Sequence, residues 1–413
     1  MGKATWQRLP VVSLCEAHVD CVNRTAPVVN EPTPFKMLRT TNIRNGYVDV
    51  ENVRYVTEET YKKWTRRLVP RCGDIVLTRE APLGEVGKIR TNDSVFLGQR
   101  LYHFRPDPQK LNADFLLYSL LDSDLQAQIK GFGSGSTVEH MRLEDIPSLE
   151  LNVPPLRTQR RIAGILSAYD ELIENSQRRI RILETMARAL YREWFVHFRF
   201  PGHEDVPRVP SPLGEIPQGW EVKKLRDIAI VNRAQINSRN APKEVHYIDI
   251  SSVSPGNIDS LVTYAFVEAP GRARRVVQHG DVLWSCVRPN RRSFALVLHP
   301  EPNTIASTGF AVLTATEVPY AFLYLATTTD EFVFYLTNHA TGAAYPAVTA
   351  TTFEKAALVV PSLGLLQQFR GVVEPIAEQI HALQRQIQTL RRTRDLLLPR
   401  LLSGQIDVEM LAA

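Results

Sequence analysis

The sequence predicts an α+β protein built from two similar halves, each a globular segment followed by a long amphipathic helix. The first observation is an internal repeat, because Gly73-Asp74 recurs as Gly280-Asp281, 207 positions later, and apolar residues of both long helices recur at the same offset. The second is a pair of heptad patterns, and the third is a set of β-rich runs between turns. Such a chain carries two similar surfaces, which suits a two-part target.

Apolar residues recur every seven positions in both long helices, with a second series three residues later, as in a coiled coil. We expect the helices to pair with each other; a pseudo-twofold duplication favours antiparallel pairing, and the intervening chain is long enough for parallel pairing too. Arg394 falls in the same series as Val373, and Pro375 falls early in the second seam, where only a first-turn position tolerates it. The predicted seam is Leu166, Ile173, Ile180, Leu183 and Leu190 with Val373, Ile380, Leu383, Ile387, Leu390 and Leu397.

Within the globular segments, strands are predicted at 74–78, 281–285 and 294–298, and short helices near 112–130 and 318–336. Ser403-Gly404 should end the last helix. The predicted boundaries are a first globular segment at 1–156, a long helix at 157–197, a Pro/Gly-rich linker at 198–219, a second globular segment at 220–363, a long helix at 364–404 and a tail at 405–413.

Composition argues against several classes of protein. The apolar runs are shorter than the roughly 18 residues of a membrane span, and the N-terminus lacks a signal-peptide pattern, so no membrane association is expected. Four scattered cysteines predict reduced thiols and a cytoplasmic location. Cys15, His18 and Cys21 could contribute metal ligands, but no CxxC pair supports them, so we expect no metal. The net charge of +5 is modest for a nucleic-acid binder, so the location of the charge matters more than its total.

Four motifs occur in a characteristic order along the chain: residues 73–79 (GDIVLTR), 153–162 (VPPLRTQRRI), 213–222 (LGEIPQGWEV) and 397–404 (LLPRLLSG). Together they resemble the specificity subunit of type I restriction–modification enzymes, over essentially the whole chain. The resemblance implies two target-recognition domains, at 1–156 and 220–363, each reading one half of a split double-stranded DNA site. It also implies two methyltransferase (modification) subunits and restriction (motor and nuclease) subunits as partners, and no cofactor.

Specific DNA reading needs donors and acceptors on loops that enter a groove, and phosphates are held by Arg, Lys, hydroxyls and backbone amides. Residues 288–292 place three arginines and an asparagine after a predicted strand, and the glycine-rich residues 131–137, with 341–346 as counterpart, would let backbone amides approach a phosphate. The alternative for residues 288–292 is an ordinary solvated turn, and the alternative for the glycine-rich segment is a flexible loop before a strand. The candidate DNA-binding residues are Arg79, Lys88, Arg90, Gln99, Arg100, Gly133, Ser134, Gly135, Ser136, Arg272, Arg274, Arg275, Arg288, Asn290, Arg291, Arg292 and Tyr345.

Two segments of the chain are similar to known catalytic motifs, but neither matches its motif fully. Residues 152–156 (NVPPL) lack the spacing and the aromatic residue of an adenine-methyltransferase motif, and residues 84–89 (GEVGKI) lack the spacing and the hydroxyl residue of a phosphate loop. The leading hypothesis is therefore a non-catalytic DNA-specificity subunit whose helices set the spacer of the site and recruit methyltransferase subunits. The alternatives are a coiled-coil scaffold or adaptor that binds protein or RNA, and an enzyme with an unrecognised site.

Overall fold

Two structural units make up the chain. The computed structural model describes residues 6–133 and 139–409. The first unit runs to Asn175 and resumes at Ile387, and the second unit is Ser176–Gln386. Both boundaries fall inside the long helices, so each unit contains a segment of each helix.

The first unit is built on a six-stranded sheet with the order β2-β10-β7-β8-β5-β4, and a three-stranded sheet with the order β6-β3-β9. Strands β1 and β11 pair separately. Its strands are β1 (Gln7–Pro10), β2 (Cys15–Asp20), β3 (Phe35–Leu38), β4 (Ile43–Arg44), β5 (Gly46–Val48), β6 (Arg54–Tyr55), β7 (Ile75–Arg79), β8 (Leu83–Lys88), β9 (Ser94–Leu97), β10 (Leu101–Pro106) and β11 (Glu150–Val153). Its helices are α1 (Glu58–Trp64), α2 (Ala113–Leu121), α3 (Ser123–Gly131) and the first part of α4 (Leu156–Tyr191).

The second unit has two four-stranded sheets, with orders β15-β24-β21-β22 and β19-β16-β23-β20, and three strand pairs, β12-β13, β14-β25 and β17-β18. Its strands are β12 (Arg208–Ser211), β13 (Gly214–Pro217), β14 (Glu221–Lys224), β15 (Ala229–Val231), β16 (Glu244–Ile248), β17 (Val253–Ser254), β18 (Asn257–Ile258), β19 (Val262–Ala265), β20 (Ala273–Val276), β21 (Val282–Ser285), β22 (Phe294–Leu296), β23 (Thr304–Ser307), β24 (Phe310–Ala315) and β25 (Ala357–Val360). Its helices are α5 (Tyr320–Thr327), α6 (Asp330–Asn338), α7 (Ala350–Lys355) and the first part of α8 (Leu363–Leu402).

The two units repeat one topology. The order β2-β10-β7-β8 corresponds to β15-β24-β21-β22, and the parallel pair β3·β9 corresponds to β16·β23. Helices α2, α3 and α4 begin 207 positions before α5, α6 and α8. The predicted α+β class, internal duplication and short helices are therefore confirmed, as are the strands that follow the two Gly-Asp pairs.

Each hydrophobic core contains segments of both long helices. In the first unit, Ile162 and Leu166 near the start of α4 share a core with Leu401 near the end of α8. In the second unit, Ala187 near the end of α4 shares a core with Phe369 near the start of α8. Within each unit, then, the two helix segments run antiparallel, as the heptad pattern and duplication predict.

Some details differ from the simplest sequence interpretation. Pro375 lies well inside α8 rather than in a first turn, so the carbonyl of Gly371 lacks its usual helical donor. The Pro/Gly-rich residues 198–219 contain the β12-β13 hairpin, and Phe200 and Ile216 are buried in the core of the second unit. Helix α8 ends at Leu402, and Gly404 takes a left-handed φ of 70°, which agrees with the predicted stop signal.

The repeated Gly-Asp turn shows how the two copies have diverged. Gly73 and Gly280 have φ of 97° and 85°, which glycine adopts without strain. Burial tends to raise the pKa of Asp74, but hydrogen bonds from Arg105 and His103 outweigh it and lower that pKa to about 2. Asp281 accepts a hydrogen bond from Thr314 instead, and burial raises its pKa. The same backbone turn therefore holds a charged carboxylate in one unit and a poorly compensated one in the other.

We predict that Asp74→Asn lowers the free energy of unfolding by about 2 to 3 kcal/mol, because the half-buried Arg105 loses its anionic partner. Asp281→Asn, the matched change in the other copy, should cost only about 1 kcal/mol. Urea denaturation of the full chain at neutral pH measures both. Because the folded pKa of Asp74 is depressed, its contribution is present above the unfolded pKa and disappears as the pH falls toward about 2. Equal losses for the two variants would contradict this account.

Candidate nucleic-acid interface

In both units, the strand after the Gly-Asp turn ends beside the segment that approaches the long helix. In the first unit, the amide of Met141 donates to the carbonyl of Arg79 at 2.9 Å. In the second, the amide of Val348 donates to the carbonyl of Cys286, also at 2.9 Å. Both residues of the second bond lie 207 positions after the matching residues of the first. The duplication therefore extends to individual backbone contacts at the ends of β7 and β21.

In each unit a third segment also forms a backbone hydrogen bond with the end of this strand. The amide of Arg79 donates to the carbonyl of Arg100 at 2.8 Å, and the amide of Cys286 donates to the carbonyl of Gly309 at 2.8 Å. We call these two places the strand-end surfaces. The first comprises residues 79–81, 99–100 and 139–141, and the second comprises residues 272, 275, 286–292, 308–309 and 341–348.

The second strand-end surface brings together two segments that the sequence predicts separately. The amide of Arg288 donates to the carbonyl of Pro346 at 2.7 Å, and its guanidinium lies over the ring of Tyr345, 4.6 Å from the centroid. Tyr345 is 69% exposed, so an aromatic face and a cation are presented to solvent side by side. Arg288 and Arg292 both have left-handed φ, 52° and 57°, which costs energy in non-glycine residues and is held here by tertiary contacts.

The side chains of the 288–292 turn differ in whether they have a hydrogen-bond or ion-pair partner in the structure. Arg292 forms an ion pair with Asp330 in the first turn of α6. Asn290 and Arg291 are exposed, and neither side chain forms a hydrogen bond or ion pair within residues 6–133 and 139–409. Arg291 is therefore a cation, and Asn290 an amide, available to an external ligand.

Of the three predicted arginines around β20, two belong to this surface. The carbonyl of Arg272 accepts from the amide of Thr308, the residue before Gly309. Arg275 is close enough to Cys286 to oppose, electrostatically, the rise in thiol pKa that burial causes. Arg274 instead packs over the ring of Phe266 at 4.9 Å and donates to its neighbour's carbonyl. Arg274 is thus used inside the unit.

The first strand-end surface is less cationic. The Arg79 guanidinium donates to the carbonyl of Met141 at 2.9 Å, so it also fixes the local fold. Arg100 forms an ion pair with Glu80, and its side chain remains 48% exposed. Gln99 is exposed and accepts a long hydrogen bond from Thr25. The predicted residues exposed here are an amide, Gln99, and Arg100, whose charge is neutralised by Glu80; Glu139 of the same surface is also exposed.

Lys88 and Arg90 lie outside the first strand-end surface. In the antiparallel pairing of β7 with β8, Lys88 is opposite Ile75 and Leu83 is opposite Arg79, so Lys88 is at the other end of β7. It forms an ion pair with Asp114 of α2 at 2.6 Å. Arg90 donates to the carbonyl of Gly46 and lies 4.8 Å from the ring centroid of Tyr47. The structure does not bring these two residues together with Arg79 and Arg100.

The glycine-rich candidate is only partly described. Gly133 accommodates a close approach, since a Cβ there would lie 2.9 Å from the carbonyl oxygen of Lys130 and 3.3 Å from the side chain of Leu83. Ser134, Gly135 and Ser136 lie outside the described residues.

Cys15, His18 and Cys21 do not form a metal centre in the described part of the chain. Burial raises the pKa of the Cys15 thiol to about 12, which keeps it protonated and a poor ligand. His18 is hydrogen-bonded to Tyr102 through Nδ1 at 2.8 Å. A different group, His279, His299 and Glu378, brings three potential metal ligands together.

The predicted seam residues lie on the inner faces of the long helices. Leu166, Ile173, Val373, Leu383 and Ile387 are buried. The remaining members are half-buried: Ile180, Leu183, Leu190, Ile380, Leu390 and Leu397. In the first unit the seam also contains a polar pair that the heptad pattern did not reveal. Arg394 donates to Asp170 at 2.6 Å, and Asp170 accepts a second hydrogen bond from Tyr118 at 2.7 Å.

Comparison with known proteins finds a matching family model and several similar proteins. Residues 25–185 match a family model described as the type I restriction modification DNA specificity domain. The specificity subunit of the type I restriction enzyme MjaIX from Methanocaldococcus jannaschii is 26% identical over 369 residues, which cover 87% of this chain and 83% of that protein. Over most of its length the chain is similar to type I specificity subunits. The HindI specificity subunit of Haemophilus influenzae is 22% identical over 380 residues, which cover 76% of this chain and 82% of that one.

The fold agrees with a solved member of that family. The crystal structure of the type I restriction-modification system S subunit from M. genitalium has a TM-score of 0.60 and 16% identity, and the match covers 96% of both chains. Type I specificity subunits are DNA-recognition components and not catalytic ones, and the similarity of this chain to them supports the expectation of a non-catalytic chain. Among the described residues, no helix is both long and apolar enough to cross a membrane.

We predict that Arg394→Leu destabilises the first unit by about 3 to 5 kcal/mol, because Asp170 is left buried without its cation. Adding Asp170→Asn should recover most of that loss, since the amide oxygen still accepts from Tyr118 and Leu restores the heptad pattern. Thermal and urea unfolding measure the cycle. Arg391→Leu, at an exposed position of α8, is the control and should change little. A double variant as unstable as Arg394→Leu alone would contradict the role of the pair.

Proposed function

We propose that this specificity subunit reads a bipartite double-stranded DNA site, one half with each strand-end surface. The observation that carries the proposal is the repetition of one backbone arrangement in both units, down to the 2.9 Å bonds Met141–Arg79 and Val348–Cys286. Two copies of one surface on a chain of this family suit two half-sites better than one continuous site.

On the second surface, Arg291 and Asn290 would make the contacts that decide sequence or register. Arg is shaped to bind guanine through two hydrogen bonds, and Asn to bind adenine in the same way. Arg272 and Arg275 would hold phosphates near the same groove. The Arg288–Tyr345 stack fixes the turn that carries Asn290 and Arg291, so its role is to position them.

On the first surface, Gln99 and Arg100 occupy the place that Thr308 and Gly309 occupy in the second unit. Arg100 would have to break its ion pair with Glu80 in order to contact DNA, and this lowers the net binding free energy from that contact. We therefore expect the second surface to contribute the larger share of the salt-dependent affinity. Arg79, Lys88, Arg90 and Arg274 have internal roles that would remain after DNA binding.

The long helices would set the spacer between the half-sites and bind two methyltransferase subunits, with restriction subunits added for cleavage. About 30 helical residues span roughly 45 Å. That length corresponds to about 13 base pairs of B-DNA. From the sequence we also propose that residues 1–156 and 220–363 are the two target-recognition domains. The proposed location is the cytoplasm. The relatives do not favour the alternative of a scaffold for protein or RNA.

We predict that Arg291→Ala weakens DNA binding of the assembled methyltransferase complex. If Arg291 contacts a phosphate, the slope of log affinity against log salt should fall by about 0.9. If it contacts a base edge, discrimination at one position should drop by about 1 to 3 kcal/mol. Arg226→Ala, an exposed arginine in the turn after β14, is the control. Unchanged affinity, slope and discrimination in Arg291→Ala would remove this turn from the interface.

We predict that inserting one heptad into the middle of both α4 and α8 lengthens the spacer by about three base pairs. Seven residues make close to two helical turns, so the apolar seam keeps its phase. Sequencing of methylated sites in cells that carry the altered chain and its modification subunits reads the spacer directly. Both half-site sequences should stay the same, and an unaltered spacer would rule out the helices as the ruler.

A further inference from the structure

Three side chains that are far apart in the sequence meet in the second unit. His279 immediately precedes the Gly280-Asp281 turn, His299 follows β22, and Glu378 lies on α8. The Nε2 atom of His299 lies 2.8 Å from one carboxylate oxygen of Glu378, and Nε2 of His279 lies 4.0 Å from the other. One potential ligand atom from each residue falls within 4.8 Å of the others.

A fourth donor lies next to this group. His381 is one helical turn beyond Glu378 on α8, so both side chains project from the same face of the helix. The ring of His381 is 5.7 Å from that of His299, centroid to centroid. Its Nε2 atom is buried and has no hydrogen-bond partner among the described residues. A buried imidazole nitrogen without a partner is costly unless something else binds it.

The chemistry of this set is that of a transition-metal site. Imidazole and carboxylate together bind zinc and its neighbours, with bonds of about 2.0 to 2.2 Å. Ligand atoms on one such ion lie about 3 to 4 Å apart, so small side-chain rotations bring this group to that geometry. His279 Nδ1 now accepts a long 3.3 Å bond from the amide of His299. Coordination through Nε2 would break that bond, at little cost because it is long.

We propose that His279, His299 and Glu378 bind one divalent transition-metal ion of the zinc class, with His381 as the adjacent fourth donor. The ion would tie the turn before β21 and the end of β22 to α8, and so hold the strand that ends at the second strand-end surface. His299 has a left-handed φ of 45°, an unfavourable backbone conformation that such a ligand position would help to maintain.

The first copy of the repeat does not carry this group. The residues at the places 207 positions earlier are Cys72, Glu171 and Glu174. The place of His299 is taken by Thr91, because the bond from Gly280 to Val297 matches the bond from Gly73 to Ile89. Within the described residues, the set on the second unit is the one in which three potential ligands meet. The proposal therefore predicts one ion per chain and an effect confined to the second unit.

The test uses the full chain, stripped of metal with a chelator and then titrated with zinc by equilibrium dialysis. We expect uptake of one ion per chain and a rise in unfolding temperature. His299→Asn and Glu378→Gln should each weaken zinc binding by more than about tenfold. His339→Asn, an exposed histidine bonded to a carbonyl of its own helix, is the control and should bind zinc as the parent chain does.

X-ray absorption on the zinc-loaded parent chain gives a measurement that does not depend on the stability of the variants. We expect nitrogen and oxygen ligands at about 2.0 to 2.2 Å, with histidine scattering and no sulfur. No stoichiometric uptake, a sulfur ligand from a cysteine, or equal binding by the parent and both ligand variants would each overturn the proposal.

Discussion

The structure depends on the sharing of the two long helices between the two cores. The first core is completed by Leu401 and Leu402, which lie more than two hundred residues beyond the sheet they pack against. The second is completed by Phe195 and Phe369, whose rings are 4.8 Å apart. Neither globular segment therefore buries its apolar face with its own following helix alone. Because burial of apolar surface dominates stability, antiparallel pairing of the segments within each unit is a condition for folding.

The duplication conserves backbone contacts and changes side-chain chemistry. The Gly-Asp turn, the sheet order and the strand-end bonds recur, whereas Asp74 and Asp281 have different partners and pKa shifts in opposite directions. At the strand-end surfaces, Arg100 is neutralised by Glu80, but Arg291 is unpaired within the described residues. The same backbone thus carries two different sets of exposed groups, and groove contacts depend on exposed side chains and not on the sheet beneath them.

The features that depend on local sequence patterns could be predicted from the sequence. Heptad periodicity gave both helices and their seam, and the repeat gave equivalent strands and turns. It also selected residues 288–292 and Tyr345, which the fold brings into contact. It could not foresee pairings set by tertiary structure: Lys88 with Asp114, Arg100 with Glu80, and Asp170 with Arg394. The group of His279, His299 and Glu378 was missed for the same reason, although the spacing of Glu378 and His381 on one helix face was a readable signal.

Photo-crosslinking from each strand-end surface to DNA in the assembled complex tests directly whether each surface reads its own half of the site. A photoreactive phenylalanine analogue at Gln99 reports on the first surface, and one at Tyr345 reports on the second. The account predicts that the two positions crosslink to different halves of the recognised site, separated by a spacer that neither reaches. Crosslinks from both positions to the same half, or to no DNA at all, would contradict it.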